Sequence, residues 1–195
     1  MLLLLLTNLA VIILALSQGW DFVPLIWVFW CQNIIIGFFN WRRMMQLRHF
    51  STKGLKINGR RVDANVKTKK SVAGFFSLHY VVLHLVYLVF LLPLTKEMPI
   101  SVVVSASIGI ALFLVNHWYS YRHNLRKDLA ATPSLATLAI FPYARVVPMH
   151  LIIFIGYIIG PHSKVMLISF MLLKTIADLF MHHIERAVWD KAKKT

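Results

Sequence analysis

Lys174, Asp178, His182 and Glu185 stand three or four residues apart in "KTIADLFMHHIER", the end of an otherwise apolar run. At about 100° per residue the first three advance by only some 40° at each step, and Glu185 returns to within roughly 20° of Lys174. One helical stripe therefore holds four ionisable groups, with His183 pointing away from it. A charged side chain at the centre of a bilayer costs roughly 2.5 to 3.5 kcal/mol on insertion scales, so such groups are partnered, sit near an edge or serve a function.

Histidines in other apolar runs suggest the function. Neutral imidazole nitrogen is a good ligand for zinc, iron, copper or nickel, and a carboxylate adds compensating charge. His79, His117, His150, Asp178 and His182 are the expected ligand set, converging in the cytoplasmic third of a helical bundle, near the inner leaflet, around a transition metal, zinc or iron first. A deeper polar layer of His84, Lys174, Gln32 and Asn33 is expected beside it. Asn33, His84 and Tyr143 are the outer hydrogen-bonding partners of the ligands. The single cysteine, Cys31, leaves neither an intramolecular disulfide nor a thiolate cluster. With an open coordination position, the ion would activate water against a membrane-soluble substrate. Lys174 or Arg145 would then stabilise developing negative charge, and Glu185 would shuttle a proton.

Other readings use the same residues. Lys174 and Asp178 at i,i+4 form a plain salt bridge, and an intramembrane histidine often serves only to hydrogen-bond neighbouring helices. The stripe also suits a proton or cation path. Paired histidines suit a b-type haem, covalent attachment being closed without CxxCH. An accessory subunit of a larger membrane complex would hold the same cluster for structure alone.

Helices must position these groups. The chain has 195 residues, 58% of them hydrophobic, more apolar surface than one water-soluble domain of this size can bury. Six apolar runs, 2–17, 22–41, 71–94, 100–121, 143–160 and 165–185, approach the roughly 20 residues that cross a bilayer as a helix. The expected fold is all-α, a single polytopic transmembrane bundle over 1–195. Pro142 suits the start of the fifth helix, after a linker "LAATPSLATLAIF".

The net charge of +14 is concentrated between these runs: segment 42–70 holds ten Lys/Arg against one acid. Positive-inside bias places that loop and both termini in the cytoplasm of a multi-pass cell-membrane protein. Membrane lipids rather than nucleic acid are its expected partners, and a homo-oligomer or membrane-complex partner stays open.

"WCQNIIIGFFN", "FFSLHYVVLHLVYLVF", "PYARVVPMHL" and "LLKTIADLFMHHIE" together resemble a family of uncharacterised prokaryotic integral membrane proteins, a domain of unknown function, over about Trp27 to Glu185. The resemblance implies one shared polar constellation: Trp30, Asn33, His79, His84, Pro142, Tyr143, Arg145, His150, Lys174, Asp178, His182 and Glu185. It implies no reaction. The family pattern has an acidic residue where Gln32 stands, so the second helix is not expected to give a carboxylate ligand here.

Overall fold

The computed structural model describes residues 2–95, 98–159, 168–169, 171–177 and 180. It is an all-α helical bundle: α1 (Leu2–Ser17), α2 (Phe22–Gln46), α3 (Val66–Leu91), α4 (Ile100–Leu129) and α5 (Leu135–Ile159), with residues 171–177 also helical. Among the described residues three helices, α2, α3 and α4, are long and apolar enough to cross a membrane. In hydrocarbon a helix satisfies its own backbone, which is why uninterrupted apolar runs take this form.

The helices run past the apolar runs that announce them. Basic segment 42–70 includes the last turn of α2 and the first turn of α3, and "RHNLRKD" lies on α4. Local chemistry explains the ends. Asp21 caps α2 by accepting from Val23 N at 3.0 Å, and Asn65 caps α3 by accepting from Thr68 N at 2.8 Å. Arg43 in the last turn of α2, and Arg126 and Lys127 in that of α4, complement the helix dipoles.

Helix α2 is the hub, packing against α3, α4 and α5. Three tethers join α2 and the residues entering it to α4: Trp20 Nε1, two residues before α2, to Ser105 Oγ at 3.1 Å, Gln32 Nε2 to His117 Nε2 at 3.2 Å, and Arg43 Nε to Asp128 Oδ2 at 2.7 Å. Each pair is separated by 85 residues, so the two helices lie parallel and in constant register over roughly 35 Å. On the α3 side the sense reverses, since Asn33 meets Tyr80 while the earlier Trp30 meets the later His84. Helix α3 is therefore antiparallel to α2, and α5 runs with α3, pairing Tyr143 with His79 and His150 with Tyr87.

Pro142 does not open the fifth helix; it lies seven residues inside one that begins at Leu135, within the stretch read as a linker. A proline there removes the N–H that would bond the carbonyl of Leu138. Asn40 of α2 takes that place, its Nδ2 donating to Leu138 O at 2.7 Å.

Between α2 and α3 the chain folds back as a two-stranded hairpin, β1 (Lys56–Ile57) and β2 (Arg60–Arg61). Asn58 and Gly59 turn it with φ of 51° and 77°, the two positive values that a type I′ turn requires.

A candidate polar site between α2, α3 and α5

Helix α3 buries Phe76, Tyr80, His84, Tyr87 and Leu91, a stripe stepping by three or four residues, and turns Leu78, Val82, Leu85 and Val89 outward. Its inward face is thus aromatic and polar at once. The Tyr80 ring fills the space over Gly37, where a Cβ would stand 2.6 Å from Tyr80 Cδ1 and closer still to Cε1. This lets the Tyr80 hydroxyl reach α2 and donate to Asn33 O at 3.0 Å.

His84, only 4% exposed, sits at the middle of the seam. Its Nδ1 is 2.8 Å from the carbonyl of Tyr80; a carbonyl can only accept, so Nδ1 carries the proton. In the neutral ring Nε2 is then a bare lone pair. That atom is buried and has no hydrogen-bond partner among the described residues. The ring centroids of Tyr80, Tyr87 and Trp30 lie 4.4, 5.8 and 6.4 Å from that of the His84 ring, and Trp30 Nε1 donates to the His84 carbonyl at 3.2 Å.

Two further Tyr–His pairs flank this centre. His79 Nδ1 is 2.8 Å from Tyr143 Oη, whose ring packs 5.6 Å from that of Tyr80. Tyr87 Oη hydrogen-bonds His150 Nδ1, their ring centroids 5.1 Å apart. Arg145 is half-buried on α5, two residues after Tyr143.

The structure divides the expected ligand set. His79 and His150 engage positions eight residues apart on α3, roughly 12 Å along its axis, rather than sharing one depth. His117 lies on α4, 7% exposed, and meets Gln32 of α2. Asp178, His182 and Glu185 lie outside the described residues. Among those described, no group of three or more His, Cys, Asp or Glu is placed to hold a metal ion.

The expected deeper layer is likewise split by α2. Gln32 faces α4, whereas the Asn33 carbonyl and Trp30 face α3. Lys174, 3% exposed, belongs near the α4 side: its Nζ is 5.5 Å from the Phe29 ring, which packs 5.7 Å from Phe113. Asn116 beside His117 is 2% exposed, with both amide atoms unpartnered among the described residues.

Tyr80, Tyr87 and Asn116 escape a reading that looks for ligating side chains, although "HYVVLHLVY" places the two tyrosines and His84 at helical spacing. Asn116 had one available signal, an amide inside an apolar run.

Fold and site together define a class: an all-α bundle with helices able to cross a membrane and a tyrosine–histidine seam whose centre, Tyr80, His84 and Tyr87, is buried and whose flanking His79 and His150 are exposed. A family model covering residues 1–195 matches the chain, which belongs to that family, a family of unknown function (DUF6498). No curated protein and no solved structure matches it.

Proposed function

We propose that the chain is a multi-pass integral membrane protein of six spans, its basic segment and both termini cytoplasmic, that binds a transition-metal ion at imidazoles on the α3–α5 side of the bundle, His84 buried and His150 at the rim. The observation behind this reading is His84. Its Nδ1–H is fixed on a backbone carbonyl and its Nε2 is bare and buried, the second-atom orientation that metal-ligating histidines adopt. Tyr87 contacts both His84 and His150, making His150 a neighbouring imidazole on this side of α2. Asp178 and His182 are the ligands the sequence adds from the sixth span. Arg145, beside the seam, is the cation suited to stabilise negative charge on a membrane-soluble substrate, and Glu185 is the group suited to shuttle a proton; Lys174, against Phe29 on the α4 side, stands apart from this seam.

Elemental analysis and an absorption spectrum of protein purified without added metal test the reading. Stoichiometric zinc or iron, lost in His84→Ala and His150→Ala, is expected. A folded, metal-free wild type overturns it, and a Soret band replaces the bare ion with haem. The Tyr143–His79 and Tyr87–His150 hydrogen bonds favour one competing reading, a proton or cation path. Flux through reconstituted vesicles that disappears in Tyr87→Phe, in protein holding no metal, decides for that path.

A further inference from the structure

Two of the ten basic residues in segment 42–70 serve the fold. Arg43 pairs with Asp128, and Lys69 Nζ donates to the carbonyls of Met45 and Leu47 at 3.1 and 2.7 Å, closing the end of α2. Lys53, Lys56, Arg60 and Arg61 do neither. All four are exposed, and among the described residues no acid pairs with them.

Their platform is fixed. Ser51 N donates to Pro133 O at 2.9 Å and Leu135 N to Ser51 O at 3.0 Å, tying the loop to the start of α5. Thr52 Oγ1 donates to Val62 O at 2.7 Å, closing the base of the hairpin. On this platform Lys56 stands directly opposite Arg61, and Ile57 opposite Arg60. Like charges opposed across strands destabilise a hairpin, so this arrangement calls for an anion from outside the chain. Ile57, 41% exposed, gives the same tip an apolar side chain.

We propose that the hairpin 56–61 docks on anionic phospholipid headgroups of the surrounding bilayer, its cations over the phosphates and Ile57 at the acyl boundary. The end of α2 and the starts of α3 and α5 meet on this side of the bundle, with Arg122, Arg126 and Lys127 near the end of α4. Cations flanking an apolar side chain fit a charged lipid surface. A nucleic acid would call for exposed aromatic rings to stack on its bases, and Phe50, the only Phe, Tyr or Trp in 47–65, is 8% exposed. The inference rests on the membrane reading above and is independent of the imidazole site.

The test uses the full chain in nanodiscs of phosphatidylcholine alone or with added phosphatidylglycerol. Hydrogen exchange reads residues 56–61, and native mass spectrometry reads retained lipid. Slower exchange and retained phosphatidylglycerol are expected in the mixed bilayer only. The triple variant Lys56→Gln, Arg60→Gln, Arg61→Gln should lose both, with affinity for the anionic lipid falling roughly a hundredfold. Unchanged helicity and unchanged exchange in the transmembrane helices identify that variant as folded; Ile57→Ser serves as a second, weaker lesion. Equal exchange in the two bilayers, or equal lipid retention by the triple variant, overturns the proposal. So does protection of the hairpin by a single-stranded oligonucleotide or by inorganic phosphate in phosphatidylcholine discs without protection by anionic lipid. Successful insertion into discs reports on the membrane reading separately.

Discussion

Asn40 of α2 donates its amide to the carbonyl of Leu138, the carbonyl that Pro142 deprives of its helical partner. Asn40 is 6% exposed and Leu138 3%, so water is a poor substitute. Leaving a buried carbonyl unsatisfied costs about 1–3 kcal/mol. Asn40→Leu should therefore lower stability by about that amount, whereas in a Pro142→Ala background the restored N–H should reduce the penalty to less than about 1 kcal/mol. Unfolding in detergent across the four variants measures the coupling, and equal penalties in both backgrounds would refute it.

Gly37 and Gly109 should respond differently to one added methyl. At Gly37 it collides with the Tyr80 ring, while at Gly109 it meets Val11 Cγ2 at 3.5 Å and Val28 Cγ1 at 3.6 Å, ordinary contacts. Gly37→Ala should cost about 1–3 kcal/mol, as overpacking does, and change the tyrosine fluorescence of the seam. Gly109→Ala should be close to neutral in the same thermal assay.

The Arg43–Asp128 pair is bidentate, at 2.7 and 3.2 Å, and the Asp128 side chain is fully buried. Removing one partner strands a buried charge, so Asp128→Asn or Arg43→Gln should cost about 3–5 kcal/mol. Arg43→Met with Asp128→Leu should recover most of that loss, because no charge is left unpaired. A double variant no better than either single would show that the pair does more than neutralise itself.

His84 should separate stability from function. Its Nε2 makes no hydrogen bond among the described residues, and its Nδ1 bonds a carbonyl four residues back on its own helix. His84→Leu should then change unfolding stability by less than about 1.5 kcal/mol, as volume-conserving swaps do, yet abolish metal retention. Loss of the fold together with the metal would mark the imidazole as structural.

Labelling tests the orientation. In a Cys31→Ser background, Lys53→Cys on the exposed basic loop should react with a membrane-impermeant maleimide in inside-out vesicles and not in intact cells. Reaction in intact cells would invert the topology.

Much of the architecture was legible because it follows from local chemistry. Long apolar runs mark helices, whereas the caps at Asp21 and Asn65 and the Asn58–Gly59 turn inside the basic segment emerged only with the structure. Pro142 misled, because the rule that places proline at helix starts is local, while the tolerance of one seven residues inside α5 depends on Asn40, 98 residues from the carbonyl it satisfies. The site divides in the same way. His84 and Tyr143 were singled out by residue type, but Tyr80 and Tyr87 act through packing and hydrogen bonds that no spacing rule ranks.

The sequence by itself determined that this chain is helical, that it is apolar enough to enter a membrane, and that its imidazoles sit among apolar residues. Tertiary structure alone decided which polar groups meet. Helix periodicity fixes the face on which a side chain lies but not the axial offset between neighbouring helices. Between α2 and α4 that offset is held by distant tethers such as Trp20–Ser105 and Arg43–Asp128, which set His117 against Gln32; between α3 and α5 it pairs His79 with Tyr143 and Tyr87 with His150, two turns apart.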